Sequence, residues 1–237
     1  MKGIILAGGT GTRLFPLTKV INKHLLPIYD KPMIYFPINI MTDNKIERII
    51  IVTDKRKAGD FLKLLGSGAE FNARFTYALQ DNASGIADAL YKARDFIGNN
   101  HMTVILGDNI IFGNTDFLRE SLTKSCRIFL KIVNDPERFG IANIKNGTVI
   151  NIVEKPTTIN SNLAVIGLYQ YKPIVFDVIN QMKPSARNEM EITDINNYFI
   201  ENNDIEYKII KNEWIDAGTI ESLFLAQQIE KKIVTEK

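Results

Sequence analysis

The segment Lys2-Gly3-Ile4-Ile5-Leu6-Ala7-Gly8-Gly9-Thr10-Gly11-Thr12-Arg13 sets the class of fold. Residues 2–7 form a largely apolar run, which is typical of a strand buried on both faces of a parallel sheet. Three glycines in the next four positions let the backbone approach a ligand closely and expose successive N–H groups. A phosphate-binding loop at the end of the first strand is therefore predicted. On the glycines alone, a tight strand-to-helix turn without a ligand remains the alternative.

Outward from this segment, strand and helix patterns alternate through the first half of the chain. The strand pattern recurs at residues 46–53, 74–80 and 102–107, and the helix pattern at residues 32–41, 58–65 and 84–97. Ser84 is suited to cap the last helix and Gly98 to end it. Strands that alternate with helices predict βαβ units and a mainly parallel sheet.

The second half of the chain has more antiparallel character. Asn146-Gly147, between two short β-rich runs, is a strong hairpin signal. No linker rich in Pro, Gly or Ser interrupts the chain, so we expect a single domain over residues 1–237, with two parts at about 1–125 and 126–237. Strands are predicted at residues 127–133, 141–144, 149–153, 163–171 and 205–210, and helices at 174–182, 191–201 and from about 219.

Composition excludes several classes of protein. Lys and Arg number 29 and Asp and Glu 27, so the net charge of +2 is too small for a strongly basic, nucleic-acid-coating protein. The single cysteine, Cys126, excludes a disulfide within the chain and a cysteine-rich zinc site. No apolar run approaches the ~18 residues of a membrane span, and the first one is too short for a signal peptide. We therefore expect a cytoplasmic protein without nucleic-acid or membrane partners.

Two basic residues follow the glycine loop. Arg13 is a planar cation suited to phosphate oxygens, and Lys23 lies ten residues further on. The Gly-Lys-Ser/Thr end of an ATPase phosphate loop is absent, and so is the third glycine of the dinucleotide pattern G-x-G-x-x-G. Both absences weigh against those two chemistries, although a nicotinamide dehydrogenase stays a rival hypothesis.

Two aspartates are candidate metal ligands. Asp108 follows the strand predicted at 102–107, and ligands of open α/β sheets sit at the carboxyl ends of strands. Asp216 lies in the segment Trp214-Ile215-Asp216-Ala217-Gly218-Thr219. Two carboxylates from distant parts of a chain can hold one Mg²⁺ between phosphates. Taken separately, each aspartate also fits a turn or a helix cap. His24 and His101 are isolated in sequence, so we expect them to be solvated or packed.

Residues 6–14, followed by Pro16-Leu17-Thr18, Lys23 and Leu26-Pro27, resemble the opening motif of the sugar nucleotidyltransferases. Residues 23–35 most resemble the glucose-1-phosphate thymidylyltransferases of that family. The resemblance implies a Rossmann-like, three-layer α/β/α fold. Its sheet would be mixed and mainly parallel, with a nucleotide-binding part at about 1–125 and a smaller, antiparallel sugar-binding part and C-terminal helix at about 126–237.

The same resemblance implies the reaction. A thymidylyl group would pass from dTTP to glucose 1-phosphate, with Mg²⁺ as cofactor, giving dTDP-glucose and pyrophosphate. The alternatives are the same reaction with UTP or another pair of nucleotide and sugar 1-phosphate, or a non-catalytic ligand sensor. A homo-oligomer, dimeric or tetrameric, is also implied. Longer family members add C-terminal helices with a regulatory product site, and this chain resembles the shorter form.

The resemblance also implies roles for individual residues, among them contact of Gln80 and Gly85 with the pyrimidine and support of the sugar pocket by Glu189. The implied catalytic residues are Arg13, Lys23 and Lys155. The implied nucleotide-binding residues are Leu6, Gly8, Gly9, Thr10, Gly11, Thr12, Gln80, Gly85 and Asp108. The implied sugar-phosphate-binding residues are Leu106, Asn109, Gly140, Glu154, Lys155, Ile166 and Trp214. The implied metal ligands are Asp108 and Asp216.

Overall fold

The computed structural model describes residues 1–81, 84–182 and 190–236. The strands in these residues are β1 (Lys2–Ala7), β2 (Pro27–Ile28), β3 (Lys31–Pro32), β4 (Arg48–Asp54), β5 (Arg74–Gln80), β6 (Met102–Leu106), β7 (Asn109–Ile111), β8 (Cys126–Ile132), β9 (Gly140–Lys145), β10 (Thr148–Glu154), β11 (Leu163–Tyr171), β12 (Ile205–Ile209) and β13 (Trp214–Asp216). The helices are α1 (Tyr35–Asp43), α2 (Ala58–Leu65), α3 (Ile86–Tyr91), α4 (Arg94–Ile97), α5 (Val175–Gln181), α6 (Ile192–Glu201) and α7 (Ile220–Thr235).

Strands from both halves of the chain share one mixed sheet, in the order β10-β9-β11-β6-β1-β4-β5. Strands β6, β1, β4 and β5 are parallel to one another, as the βαβ pattern predicted. Strand β11 then runs antiparallel to β6, and β8 pairs with β11 and with β12. The part of the sheet formed by β6, β1, β4 and β5 is therefore parallel, and the rest is mainly antiparallel.

The alternation of side chains along the central strands explains the three layers. In β1, Ile4 and Leu6 point to a core shared with α3, α5 and α6, while Ile5 and Ala7 point to a core shared with α1 and α2. Helix α7 packs on a third cluster with Leu14, Ile28 and neighbouring residues. A sheet covered by helices on both faces confirms the predicted α/β class.

Most predicted elements are present, but the helix predicted at 84–97 is wrong in two details. It is divided into α3 and α4, because Ala93 N–H donates to the carbonyl of Leu90, which tightens the chain between them. The cap is Gly85, with φ of 99°, and not the Ser84 side chain. Gly98 ends α4 with φ of 55°, as predicted. Asn146 and Gly147 have φ of 52° and 76°, which fits the predicted hairpin turn.

Two short ribbons were not predicted: β2 with β3, and β7 with β13. Each strand is only two or three residues long, so no periodicity marks it.

The expectation for Glu189 falls outside the described residues. Among the helices that the structure describes, none combines the length and the apolar character needed to cross a bilayer.

Candidate active site

A cavity of about 470 Å³ lies at the carboxyl ends of β1, β5 and β6. This is the edge of an open α/β sheet where ligands bind. The predicted site residues that line it are Leu6, Gly8, Gly9, Arg13, Lys23, Gln80, Gly85, Leu106, Asp108, Asn109, Gly140, Glu154, Trp214 and Asp216.

Five predicted residues stand outside the cavity wall. Thr10, Gly11 and Thr12 belong to the outer part of the glycine loop, where both threonines are exposed. Lys155 is exposed one residue beyond Glu154, with φ of 45°. Ile166 is a correction: its side chain is fully buried in the core shared with α1 and α2. Because side chains alternate along a strand, Val165, Gly167 and Tyr169 face the cavity instead.

The glycine loop leaves β1 in a conformation that needs glycine. Gly9 and Gly11 have φ of 95° and 66°, in the left-handed region. The Thr18 hydroxyl donates to the carbonyl of Gly11 at 2.7 Å and ties the loop to the following 3-10 turn. Gly8 lies against Gln80, since a Cβ at Gly8 would be 2.9 Å from Gln80 Oε1. The loop therefore lies against Gln80, and both contribute to the cavity wall.

The two candidate metal ligands are brought together by the ribbon of β7 and β13. In its register, Asp216 lies opposite Asn109, the neighbour of Asp108. The N–H of Ala217 donates to the carbonyl of Asp108 at 2.9 Å. Asp108 is 108 residues before Asp216, so only the tertiary structure makes them a pair.

Cations surround this carboxylate pair. Lys23 Nζ is 2.5 Å from Asp108 Oδ2, and both side chains are largely buried. The Arg13 guanidinium lies over Gly218, where a Cβ would be 2.7 Å from Arg13 Nη2 and 3.0 Å from Asp216 Oδ1. A residue larger than glycine at 218 would push the arginine away from the aspartate.

The two carboxylates titrate in opposite directions. Burial opposes ionisation of Asp108, but the Lys23 ammonium outweighs it and holds the pKa of Asp108 below its ordinary value. Burial, reinforced by the negative charge of Asp108, raises the pKa of Asp216 to about 6. Lys23, Arg13 and Arg138 only partly offset that rise. Above pH 6 both carboxylates are ionised, and their charge attracts a cation more strongly at this largely desolvated position than it would in water.

The raised pKa of Asp216 predicts a pH-dependent stability. Folding raises this pKa from 3.8 to about 6, so the stabilisation is fully present below about pH 4 and is lost as the pH rises through 6. In the presence of a chelator, we expect the free energy of unfolding of Asp216→Asn to rise, relative to that of the unchanged chain, by about 1–3 kcal/mol as the pH increases from 4 to 7. Urea unfolding measures this difference, with the exposed Asp60→Asn as control. Unfolding free energies that change in parallel for all three proteins would contradict it.

His24 is packed beneath the site and was not predicted to belong to it. Its ring lies against Gly107, where a Cβ would be 2.7 Å from His24 Cδ2. Its Nδ1 is 2.8 Å from Asn22 Oδ1. Burial, followed by the charge of Lys23, lowers the pKa of His24 to about 3, so the imidazole is neutral near pH 7. It supports the backbone next to Asp108 as an uncharged packing group.

Asn109 and Trp214 face the cavity, but their polar atoms serve the frame of the site. Asn109 Oδ1 accepts hydrogen bonds from Trp214 Nε1 and from the N–H of Gly167, both at 2.8 Å. With its oxygen held this way, the Asn109 amide nitrogen is directed to Asp108 Oδ1 at 3.3 Å. The three interactions fix β7, β11 and β13 around Asp108.

Glu154 and Gly140 also line the cavity and lie against each other. The Thr193 hydroxyl donates to Glu154 Oε2 at 2.9 Å and orients that carboxylate. A Cβ at Gly140 would be 3.1 Å from the same oxygen, so glycine allows the close approach. Thr193 was missed because it lies 39 residues away on α6 and no sequence signal links the two. Arg138, two residues before Gly140, also lines the cavity and was not predicted.

Comparison with known proteins agrees with this arrangement. The model of the family described as Nucleotidyl transferase matches residues 2–232. A glucose-1-phosphate thymidylyltransferase of Neisseria gonorrhoeae is 42% identical over 230 residues, covering 94% of this chain and 80% of the relative. One from Xanthomonas campestris is 43% identical, covering 94% and 78%.

The solved structures that are similar to this chain include proteins with related descriptions. A structure described as a glucose-1-phosphate thymidylyltransferase from Bacillus anthracis, in complex with sucrose, is 48% identical with a TM-score of 0.93 and covers 97% of this chain and 94% of that one. A UDP-glucose pyrophosphorylase complexed with UDP-glucose is 27% identical with a TM-score of 0.86 and covers 98% of each chain. With the family match spanning nearly all of its residues, the chain belongs to the nucleotidyl transferase family.

Proposed function

We propose that this protein transfers a thymidylyl group from dTTP to glucose 1-phosphate, releasing dTDP-glucose and pyrophosphate. One observation carries the proposal. A single cavity joins a glycine loop and two cations, a carboxylate pair, a buried amide, and a separate polar group at Glu154. These groups match, in order, a triphosphate, a metal ion, a pyrimidine and a hexose. The names of the thymidylyltransferases that share more than 40% of its residues support the same choice.

In this proposal the triphosphate lies along the glycine loop. Successive backbone N–H groups bind phosphate oxygens, and Arg13 and Lys23 stabilise their charge. Gln80 and Gly85 contact the pyrimidine, while Gly140 and Glu154 contact the sugar. Lys155 is proposed to hold the sugar phosphate. Because its side chain is outside the cavity wall of the free protein, it would have to turn inward when that phosphate binds.

The reaction requires positioning more than a strong base. A phosphate oxygen of glucose 1-phosphate attacks the α-phosphorus of dTTP, the bond from that phosphorus to the bridging oxygen breaks, and pyrophosphate leaves with the electron pair. A phosphate monoester is already ionised and nucleophilic at neutral pH. The residues around the cavity therefore orient the two phosphates and neutralise charge as it develops on the leaving group.

Asp108 and Asp216 would hold the Mg²⁺ that the family resemblance implies. Carboxylate oxygens are the ligands that Mg²⁺ prefers. The fit is supported by the environment of the pair, because burial, and after it the charge of Asp108, raises the pKa of Asp216 to about 6, and a bound cation would favour the ionised form. When bound, a divalent ion supplies Lewis-acid stabilisation of charge on phosphate oxygens.

Three broader expectations remain proposals. Residues 1–237 would act as one domain, because strands from both halves share the sheet. The protein would be cytoplasmic and would form a homo-oligomer. Analytical ultracentrifugation of the purified protein tests the last point, and a monomer at micromolar concentration would contradict it.

A pyrophosphate-release panel tests the function. It combines dTTP, UTP, dCTP and GTP with glucose 1-phosphate and with other hexose 1-phosphates, in the presence of Mg²⁺. We expect the highest kcat/KM for dTTP with glucose 1-phosphate. A higher value with UTP would assign the alternative nucleotide, since uracil presents the same N–H to Gln80. Release with no pair of substrates would overturn the proposal.

A further inference from the structure

The side chain that faces the base-binding end of the cavity is a buried amide with a restricted orientation. Gln80 is the last residue of β5, is only 6% exposed and lines the cavity. Its Nε2 donates to the carbonyl of Gly85 at 3.1 Å and to Asp88 Oδ2 at 2.9 Å. Both hydrogens of the amide nitrogen are therefore used by the protein.

The chemistry of the two acceptors fixes which way the amide faces. A carbonyl oxygen and an ionised carboxylate accept hydrogen bonds and donate none. Turning the Gln80 amide around would place its oxygen against both of them and break both hydrogen bonds, leaving the Gly85 carbonyl with only the Ala89 N–H at 3.3 Å. The amide oxygen is consequently held on the side of the glycine loop, 2.9 Å from where a Cβ on Gly8 would lie.

Of the two groups that accept from Gln80, only Asp88 uses its side chain, so only its hydrogen-bonding chemistry can be changed by substitution. It lies in the first turn of α3, where a carboxylate often caps the helix, yet this helix has no side-chain cap and Asp88 is bonded to Gln80. Ile86 and Ala89, on either side of it in the sequence, line the cavity, and Gln80 stands between Asp88 and the ligand space. Gly85, the other acceptor, contributes only its backbone.

We infer that Asp88 is a specificity-determining positioning residue, which locks Gln80 so that an acceptor oxygen meets the bound base. Thymine and uracil carry an N–H at ring position 3 and can donate to that oxygen. Cytosine carries a lone pair at the same position, so two acceptors would face each other. This hydrogen-bond arrangement discriminates thymine and uracil from cytosine, but it does not discriminate thymine from uracil. This inference rests on the proposed function, because it assumes that a pyrimidine nucleotide occupies this end of the cavity.

The test replaces Asp88 with Asn, which has nearly the same shape but can also donate. Gln80 can then adopt either orientation. We expect the ratio of kcat/KM for dTTP to that for dCTP to fall by about tenfold or more, mainly through KM. Asp88→Glu keeps an acceptor-only group and is expected to preserve the ratio. Asp95→Asn, an exposed carboxylate in the first turn of α4, is the matched control for lost charge at a helix start.

A merely structural role predicts a different result, in which Asp88→Asn slows both nucleotides equally and leaves the ratio unchanged. That outcome would overturn the inference. Calorimetric titration of dTTP and dCTP into the unchanged protein and the Asn variant reports the same ratio without turnover. If pyrophosphate is never released but the binding ratio shifts as expected, only the proposed function fails. Equal binding of dTTP and dCTP by the unchanged protein, or binding of neither, would overturn the inference itself.

Discussion

Replacing Asp108 with Asn is expected to lower kcat by at least about 100-fold while leaving the fold intact. The change keeps the shape of a buried side chain but removes the charge that pairs with Lys23 at 2.5 Å. It also leaves Asp216 as the only charged member of the carboxylate pair. Both the arrangement of Lys23 and the affinity for a divalent cation should suffer, because each depends on the Asp108 charge. Steady-state pyrophosphate release at saturating substrate measures the effect.

The control for this variant is Asp116→Asn. Asp116 is an exposed carboxylate paired with Arg119 at 3.0 Å, away from the cavity. It should retain turnover within about twofold, since exposed ion pairs contribute little. Thermal unfolding of both variants shows whether the fold is kept. If Asp108→Asn turned over at the rate of the unchanged protein, with the same dependence on Mg²⁺ concentration, Asp108 would not be a catalytic metal ligand.

Replacing Gly85 with Ala is expected to destabilise the protein by about 3 kcal/mol or more and to weaken nucleotide binding. Gly85 has φ of 99°, a conformation that side chains disfavour. A Cβ there would lie 2.6 Å from the carbonyl oxygen and 2.7 Å from the nitrogen of Met190. Both are backbone atoms, so no flexible side chain can move aside to make room. The start of α3 would have to shift, and with it the Gly85 carbonyl that holds Gln80.

Gly98→Ala separates the two causes of this effect. Gly98 also has a positive φ, 55°, at the end of α4, but a Cβ there would meet nothing within 4 Å. It therefore carries the cost of conformation alone, about 1 kcal/mol. Urea unfolding of both variants gives the free energies, and nucleotide titration gives the affinities. Equal losses of stability for the two variants would show that contact with Met190 contributes nothing.

Much of the fold could be predicted because its signals are local. Continuous apolar runs predicted β1, β4 and β6, since these strands are covered on both faces and their apolar residues face a core on either side. Asn146-Gly147 predicted its hairpin because a two-residue turn requires those backbone angles. The ribbon of β7 and β13 left no such signal, because its strands are short and its pairing joins segments about 100 residues apart.

The residues of the candidate site also fall into those that local motifs predicted and those that depend on the folded structure. Sequence motifs predicted the glycine loop, Arg13, Lys23 and both aspartates, and the structure places all of these around one cavity. The motif containing Ile166 misled, because the resemblance identified the right strand and the wrong face. Successive side chains of a strand point to opposite faces, so a residue next to one that faces the cavity points into the core, as the full burial of Ile166 shows.

By itself, the sequence determined the class of fold, the order of most of its longer strands and helices, and the residue types available for phosphate and metal chemistry. These properties follow from periodicity, turn chemistry and short motifs, all of which act over a few neighbouring residues. Only the tertiary structure decided the pairing of Asp108 with Asp216, the neutral state of His24, the orientation of Glu154 by Thr193, and the locking of Gln80 by Asp88. Each of these depends on the distance between particular atoms and on the water excluded around them. Those quantities exist only once the chain has folded.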